Sequence, residues 1–147
     1  MKIPVITRIA CGGKHNLCLS EDDGIFSWGR GEFGRLGHGD ELHLCHPVLI
    51  ETLHNKQIAD ISCGGYHSVA LSKSGFVFTW GSGEYGKLGH KDQKDRFVPT
   101  IVDAMRGKDV KRIHAGAYVT VAFVAVERKI YVEPKYTRFM EFVHSLM

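Results

Sequence analysis

FSWGRGEFGRLGH at residues 26–38 returns as FTWGSGEYGKLGH at residues 78–90, and this pair of stretches decides the fold. The second copy begins 52 residues after the first, with no insertion or deletion between them. A chain that repeats itself in register is built from one structural unit used more than once. The function therefore depends on what that unit does and on how many units act together.

The repeat begins well before its tryptophan. The segment from Ile6 to His15 shares the pattern Ile-x-x-Ile-x-Cys-Gly-Gly-x-His with the segment from Ile58 to His67. A third copy starts at the same spacing with Val110, and it carries Gly116 in the position of the first glycine. The chain thus holds two complete repeats and the start of a third.

Each unit has the pattern of short strands separated by turns. In the second copy we predict strands over 58–63, 67–72 and 76–80, with a hairpin turn at 73–75. A fourth strand over 97–101 is expected at a sheet edge, because Pro99 has no N–H to donate. Four strands in a unit of about 50 residues are typical of a β-propeller blade.

The invariant positions of the unit are expected to build the blade. Trp28 and Trp80 are predicted to pack between blades, and Gly12, Gly64 and Gly116 end the first strand where the chain turns tightly or approaches another backbone. The residues predicted to shape the repeat are Gly12, His15, Trp28, Gly29, Gly34, Gly37, Gly64, His67, Trp80, Gly81, Gly86, Gly89 and Gly116.

The repeat pattern is lost after Phe123. Residues 129–132 still resemble a third strand, but Glu127 replaces the turn glycine and Val132 replaces the tryptophan. In the tail, apolar residues recur at helical spacing, which predicts a short helix that caps the last sheet or binds a partner; a segment end without a role is the third alternative. These apolar residues are Phe139, Phe142, Val143 and Leu146.

We therefore predict an all-β fold, a partial β-propeller of two to three four-stranded antiparallel blades with a short C-terminal helix. The propeller-repeat domain covers 1–133, with repeats at about 6–57, 58–109 and 110–133, and the helical tail covers 134–147.

Composition excludes several classes of protein. Of the 147 residues, 44% are hydrophobic and 24% are charged. The formal charge of +3 is spread along the chain, which does not favour nucleic-acid binding. No signal peptide and no apolar run of membrane-spanning length is evident.

Cys11 and Cys63 occupy equivalent repeat positions and are expected to be small buried hydrophobic residues. Free thiols without a secretory signal indicate the cytoplasm or the nucleus.

The glycine spacing of residues 29–34 and 81–86 matches the dinucleotide-binding fingerprint, but the residues around it do not provide the structure that this site requires. That site needs a helix after the last glycine, and the sequence Leu-Gly-His-Gly-Asp at 36–40 cannot form a stable one. Metal binding at His15 or His67 is also not expected, because the third copy lacks these ligands; both histidines should satisfy backbone groups. His43, Cys45 and His46 form an isolated cluster in a loop. We find no nucleophile beside a base, so no catalytic residue, metal or cofactor is predicted.

The loop side chains that differ between the copies are the candidates for binding another protein. A scaffold that keeps its glycines and varies its loop side chains is typical of an interaction surface. Aromatic residues beside basic ones are favoured at such surfaces, although the aromatic rings could equally pack over the neighbouring blade. The partner-binding candidates are Arg30, Phe33, Arg35, Ser82, Tyr85 and Lys87.

Cys-Gly-x-x-His followed by Trp-Gly-x-Gly-x-x-Gly-x-Leu-Gly-His resembles the repeat of the regulator of chromosome condensation family, and the resemblance covers Ile6 to about Phe123. It implies blades of a propeller that closes with about seven repeats, so this chain is expected to be a fragment of a larger propeller, to self-associate, or to be capped by its tail.

The resemblance also implies a non-catalytic interaction module linked to ubiquitin ligases or small-GTPase pathways. The alternative is nucleotide exchange on a Ran-like GTPase, against which the absence of an inserted hairpin argues. Ultraviolet-B sensing is not expected, because Lys14 and Tyr66 replace the tryptophans of the plant members.

Overall fold

The protein consists of three β-sheets, seen in a computed structural model that describes residues 4–22, 24–126 and 139–145. In this part of the chain no helix has the length and apolar character needed to cross a membrane. The strands are β1 (Ile6–Cys11), β2 (His15–Ser20), β3 (Gly24–Gly29), β4 (Leu44–Leu49), β5 (Ile58–Cys63), β6 (His67–Ser72), β7 (Val77–Gly81), β8 (Arg96–Ile101), β9 (Val110–Ala115), β10 (Thr120–Val126) and β11 (Phe139–Ser145). Short 3-10 turns lie at Glu32–Gly34, Glu51–Leu53, Glu84–Gly86 and Asp103–Met105.

The first two sheets are four-stranded antiparallel blades with the same topology. Strands β1 to β4 form blade 1 and strands β5 to β8 form blade 2, each in sequential order. The predicted strands over 58–63 and 67–72 are confirmed by β5 and β6, and the turn at 73–75 closes with a hydrogen bond of 3.0 Å from the N–H of Gly75 to the carbonyl of Ser72. Pro99 lies in β8 at the sheet edge, as predicted.

The third sheet, blade 3, has the order β11-β10-β9. β9 and β10 are antiparallel, as in the other blades. β11 takes the place beside β10 that the third strand takes in blades 1 and 2, but it runs parallel to β10, with Thr120 opposite Phe139 and Val126 opposite Ser145. The third strand predicted over 129–132 lies outside the described residues.

The predicted C-terminal helix is wrong for the part of the tail that the structure describes, because Phe139–Ser145 is a strand. The exposed edge of β10 offers backbone N–H and C=O groups that need partners, and a parallel strand supplies them. Phenylalanine and valine also favour strands, and a helix of this length is marginal on its own in water. The rest of the predicted helix, 134–138 and 146–147, lies outside the described residues.

The hydrophobic core lies between the blades rather than within any one of them. Leu17, Leu19 and Ile25 of blade 1 pack in one cluster with Ile61 and Trp80 of blade 2. A second cluster joins the other side of blade 2 to blade 3 in the same manner. Blade 2 therefore uses one side against blade 1 and the other side against blade 3.

Glycines permit the close approach of neighbouring blades. A Cβ atom on Gly12 would lie 2.4 Å from the carbonyl oxygen of Gly64, and one on Gly64 would lie 2.3 Å from that of Gly116. Gly12 and Gly64 therefore lie where the backbones of neighbouring blades approach closely, whereas a Cβ on Gly116 would meet the side chain of Val119 at 3.0 Å. The loop that follows β3 also approaches blade 2 closely, because a Cβ on Gly37 would lie 2.8 Å from Nε1 of Trp80. The loop of blade 1 therefore covers the tryptophan of blade 2.

Equivalent residues of blades 1 and 2 differ in burial. Trp80 is completely buried between blades, whereas Trp28 is only half-buried. Cys63 is buried and Cys11 is exposed, so the expectation that both are buried is correct only for Cys63; both thiols are free. The difference arises because blade 2 has a blade before it and blade 1 has none among the described residues.

Candidate functional site

The candidate site lies at one end of the blades, where the loop after the third strand meets the first turn of the next blade. This loop covers residues 30–43 in blade 1 and 82–95 in blade 2, and each contains a 3-10 turn in place of a longer helix. At the centre of these turns Phe33 has φ 62° and Tyr85 has φ 63°. Bulky residues rarely adopt this left-handed conformation, which costs about 1–2 kcal/mol.

Side chains from the second half of each loop hold this strained turn. In blade 1 the N–H of Gly31 donates to Nδ1 of His43 at 3.0 Å, and the N–H of Phe33 donates to a carboxylate oxygen of Glu41 at 2.8 Å. In blade 2 the N–H of Gly83 donates to Oδ1 of Asp95 at 2.8 Å. The two loops thus reach the same backbone conformation with different acceptors.

Basic residues stabilise the same turns from inside. Arg35 is 1% exposed, and its guanidinium donates to the carbonyl of Glu32 at 3.0 Å and pairs with the Glu32 carboxylate at 3.0 Å. Lys87 is 0% exposed, and its Nζ donates to Oγ of Ser82 at 2.9 Å and to the carbonyl of Glu84 at 3.1 Å. Burial lowers the pKa of both basic groups, and the nearby acidic side chains oppose that shift.

The buried histidines connect these loops to the following blade. Nε2 of His15 lies 2.8 Å from the hydroxyl of Ser68, which donates to the carbonyl of Arg35 at 2.9 Å. His67 makes the equivalent contact with Thr120 at 2.8 Å. Since the Ser68 hydroxyl uses its one hydrogen on the carbonyl, it accepts its other bond from the Nε2–H of His15. The expectation that these histidines satisfy backbone groups is therefore wrong, because their partners are hydroxyls of the next blade.

Burial keeps both histidines neutral. Desolvation, with a smaller contribution from Arg35, lowers the pKa of His15 to about 4. Desolvation and Lys87 lower the pKa of His67 to about 3. Nδ1 of each ring has no hydrogen-bond partner, as fits an unprotonated nitrogen. An imidazole beside a serine hydroxyl can act as a base for a nucleophile, but His15 and Ser68 are sealed between blades and the hydroxyl hydrogen points to a carbonyl.

Exposed aromatic residues form a row across this end of the blades. The rings of Phe33 and Tyr66 meet edge to face with centroids 5.8 Å apart, and those of Tyr85 and Tyr118 do the same at 5.7 Å. Each pair joins the loop of one blade to the first turn of the next, and the guanidinium of Arg35 lies 4.8 Å from the centre of the Tyr66 ring. The four rings, 39 to 48% exposed, are called the aromatic row: Phe33, Tyr66, Tyr85 and Tyr118.

The structure divides the six residues predicted to bind a partner. Arg30, Phe33 and Tyr85 are exposed, and the Arg30 guanidinium lies 3.5 Å from the Glu32 carboxylate. The other three are buried and hold the loops, so they reach a partner only through the residues they position: Arg35, Ser82 and Lys87. Sequence reasoning did not select Tyr66 and Tyr118. Their equivalent positions one repeat apart, directly after the paired small residues of the first turn, are the signal that could have identified them.

The loop histidines and cysteines do not converge on a common point. Among the described residues, no group of three or more His, Cys, Asp or Glu side chains could hold a metal ion. His43 accepts the backbone bond described above, and Sγ of the exposed Cys45 lies 3.5 Å from Nδ1 of His46. The glycine-rich loops likewise lead into turns rather than into a helix that could hold a pyrophosphate.

Comparisons with known proteins agree on one family. The regulator of chromosome condensation (RCC1) repeat matches residues 22–71 and 74–123, and a second model of the same repeat matches residues 6–35 and 58–87. The human E3 ubiquitin-protein ligase HERC2 is 43% identical over 115 residues, which are 77% of this chain and 2% of HERC2. The ultraviolet-B receptor UVR8 of Arabidopsis thaliana is 41% identical over 109 residues, 74% of this chain and 25% of the receptor.

Solved structures show the same architecture. Prp20p from Saccharomyces cerevisiae superimposes with a TM-score of 0.68 at 26% identity, over 78% of this chain and 30% of Prp20p. Yeast RCC1 (Prp20) bound to Kap60 gives a TM-score of 0.72 at 25% identity, over 80% of this chain and 29% of that structure's chain. The chain spans less than a third of each of these relatives. By its repeats and its blades, the chain belongs to the regulator of chromosome condensation (RCC1) repeat family.

Proposed function

We propose that the chain is a non-catalytic protein-interaction module that binds another protein through the aromatic row. The observation that carries the proposal is the pairing of exposed rings across two successive blade boundaries. Rigid, exposed aromatic side chains supply large contact areas at low entropic cost and are enriched at binding hot spots. Phe33 and Tyr85 are, moreover, kept in a strained backbone conformation, which is common at binding sites.

The surroundings of the row favour a protein rather than a nucleic acid as the ligand. Near Phe33 the Arg30 guanidinium lies beside Glu32, and Glu41 accepts the hydrogen bond from the Phe33 backbone. The charge of this region is therefore mixed, whereas a nucleic-acid surface needs a basic stripe. The solved relatives support a protein partner, since Prp20p has been studied for its binding to Gsp1p and histones and the yeast RCC1 structure contains Kap60.

In the wider setting, we propose that these blades act as part of a larger propeller assembly, completed by further blades or by self-association. The match to HERC2 favours an association with the ubiquitin pathway. Four free cysteines fit a reducing compartment, so the cytoplasm or the nucleus is the proposed location.

The test compares proteins captured by the full chain and by variants with matched exposure. Phe33→Ser and Tyr118→Ser each remove one ring of the row, whereas Phe76→Ser removes a ring of similar exposure from the β6–β7 hairpin. We expect the wild type and the Phe76 variant to retain the same proteins and both row variants to lose them, with direct affinity then measured on the purified partner. Equal retention by all four chains would refute the assignment of the row.

Nucleotide exchange on a Ran-like GTPase is the second candidate, supported by the likeness to Prp20p. The loops of the two complete blades keep one register without an inserted hairpin. We therefore expect no acceleration of nucleotide release when the chain is added to such a GTPase loaded with a fluorescent nucleotide. Acceleration that is lost in Phe33→Ser would replace the scaffold proposal with exchange activity.

A further inference from the structure

The backbone N–H that begins each loop turn is bound by a different side chain in blades 1 and 2. In blade 1 the N–H of Gly31 donates to Nδ1 of His43 at 3.0 Å. In blade 2 the N–H of Gly83 donates to Oδ1 of Asp95 at 2.8 Å. His43 and Asp95 stand at equivalent positions of the repeat, and each acceptor atom is bonded to Cγ. The two loops therefore make the same bond with acceptors of different chemistry.

The bond from Gly31 fixes the turn that presents Phe33. Gly31 lies against the second half of its loop, since a Cβ on it would clash with the carbonyl of Leu42. Its own carbonyl accepts the N–H of Gly34 at 3.0 Å and so closes the 3-10 turn around Phe33. The bond to His43 therefore joins the two halves of the loop at the residue where the turn begins.

This bond requires that Nδ1 of His43 carries no proton. A neutral imidazole that accepts at Nδ1 has its hydrogen on Nε2. Imidazole ordinarily changes its charge between about pH 5 and pH 8, whereas carboxylates stay ionised in that range. The His43 side chain is 50% exposed, so protons of the solvent reach it, unlike the sealed rings of His15 and His67. A proton on Nδ1 replaces the acceptor by a second donor, and the N–H of Gly31 loses its partner.

The protonated ring would meet charges of both signs. Nε2 of His43 lies 3.9 Å from Oε1 of Glu32, and the Arg30 guanidinium lies 3.5 Å from the same oxygen and 3.4 Å from Nε2. Arg35 pairs with the other carboxylate oxygen at 3.0 Å. Desolvation opposes ionisation of Glu32, but a backbone hydrogen bond and the neighbouring cationic groups lower its pKa below the usual value. Protonation therefore attracts the ring to Glu32 and repels Arg30, and neither change restores the bond to Gly31.

We propose that His43 is a proton-sensitive positioning residue of the aromatic row, which fixes the turn of Phe33 when neutral and releases it when protonated. The blade 2 loop keeps its turn over the same pH range, because Asp95 is its acceptor. Acidification thus loosens the first ring pair of the row and leaves the second in place. The inference rests on the proposed function, because it predicts that binding through Phe33 weakens below neutral pH.

Amide hydrogen exchange of the full chain, followed by NMR for each residue, tests this inference without a partner. The measured quantity is the protection of the Gly31 N–H divided by that of the Gly83 N–H, each relative to its unprotected rate at the same pH. Burial lowers the pKa of His38 and of its equivalent His90, one in each loop, so their titration affects both loops alike. Between about pH 7.5 and about pH 5.5 we expect the ratio to fall about tenfold, which is the effect of losing one hydrogen bond.

Two matched variants identify the group that titrates. His43→Asn supplies Oδ1 as an acceptor that binds no proton in this range, so its ratio should stay constant. His46→Asn removes an exposed histidine of β4 instead and should behave like the wild type. The inference would be overturned by a constant ratio in the wild type, by a fall that persists in His43→Asn, or by a fall that His46→Asn abolishes.

Capture at both pH values connects the turn to binding. At about pH 5.5 the wild type should retain less of the proteins that it captures at about pH 7.5, whereas His43→Asn should retain equal amounts. If the exchange ratio falls but Phe33→Ser captures the same proteins as the wild type, His43 controls the turn and binding through the row is rejected. If Phe33→Ser loses those proteins while the exchange ratio stays constant, the row is retained and the role of His43 is rejected.

Discussion

The imidazole of His15 and the hydroxyl of Ser68 lie 2.8 Å apart across the boundary between blades 1 and 2. The same hydroxyl donates to the carbonyl of Arg35, so one serine of blade 2 binds both the second strand and the loop of blade 1. His67 and Thr120 repeat the arrangement at the next boundary, where the hydroxyl donates to the carbonyl of Lys87 at 2.7 Å. The loops that carry the exposed rings are thereby fixed to the following blade.

Removing one of these hydroxyls should destabilise the fold. Thr120→Val preserves shape but leaves a buried imidazole N–H and a buried carbonyl without their partner, which we expect to cost about 2–3 kcal/mol. Thr100→Val is the control, because that hydroxyl makes only an exposed bond to the carbonyl of Val98. The loss of that bond should cost less than about 0.5 kcal/mol. Urea denaturation of both variants measures the difference in the free energy of unfolding. If both variants lost the same free energy of unfolding, the buried hydrogen bonds of Thr120 would stabilise the fold no more than the exposed one of Thr100.

Stability should fall as the solution becomes acidic. Burial, assisted by Arg35 and Lys87, lowers the pKa of His15 to about 4 and that of His67 to about 3, whereas the ordinary value of 6.5 applies in the unfolded chain. Below pH 6.5 the unfolded chain binds protons that the folded chain does not. The stability contributed by the neutral rings is therefore fully present above that pH, and it declines by up to about 1.4 kcal/mol per pH unit for each histidine until the folded pKa is reached.

The variant that tests this slope is His67→Gln, which has no titratable ring. The unfolding free energy is measured from about pH 7 to about pH 5, and the slope of the variant should be shallower by up to about 1.4 kcal/mol per pH unit, the full difference being reached near pH 5. Thr100→Val, which removes no titratable group, is the control and should keep the wild-type slope. Burial also lowers the pKa of His38 and His90, so a slope remains in every variant. An unchanged slope in His67→Gln would contradict the prediction.

Much of the fold could be predicted because strand and turn signals are local and recur. The boundaries of β5 and β6 follow from alternation of apolar residues between paired glycines and the 73–75 turn. β11 could not be predicted in this way. The tail residues have the spacing of a helix, but they can also pair as a strand with the edge of β10. That edge exists only in the folded sheet, so the sequence pattern alone does not indicate the pairing.

The candidate site was predicted only in part, for a related reason. A basic residue in a glycine-rich loop is solvated by default, yet Arg35 and Lys87 are buried because the next blade covers them. The strained conformation of Phe33 and Tyr85 depends on acceptors in the second half of the loop, such as Glu41. Contacts made across a blade boundary leave no pattern within one repeat, so a single repeat does not disclose them.

Two glycines of the same loop should respond differently to substitution. Gly37 and Gly39 have φ of 84° and 90°. A side chain therefore costs about 1 kcal/mol of backbone strain at either position. At Gly37 a Cβ would lie 2.8 Å from Nε1 of Trp80, whereas at Gly39 the nearest atom would be 3.8 Å away. We expect Gly37→Ala to cost about 1–3 kcal/mol more than Gly39→Ala and to shift tryptophan fluorescence. Equal losses in thermal denaturation would show that the loop can move away from Trp80.

The ring pair of Phe33 and Tyr66 allows strain and binding to be separated. Phe33→Asn and Tyr66→Asn break the same edge-to-face contact, and both shorten the aromatic row. Such a contact contributes about 0.5–1.5 kcal/mol. Asparagine tolerates the left-handed conformation at position 33, so that variant also relieves about 1 kcal/mol of strain. Tyr66 has no positive φ to relieve, and the Arg35 guanidinium lies closer to the centre of its ring, at 4.8 Å, than to that of Phe33, at 5.8 Å. Phe33→Asn should therefore unfold at a higher denaturant concentration than Tyr66→Asn, while both lose the captured partner. If Phe33→Asn were the less stable of the two, the ring would contribute to folding more than its backbone costs, and the case for a strain retained for binding would fail.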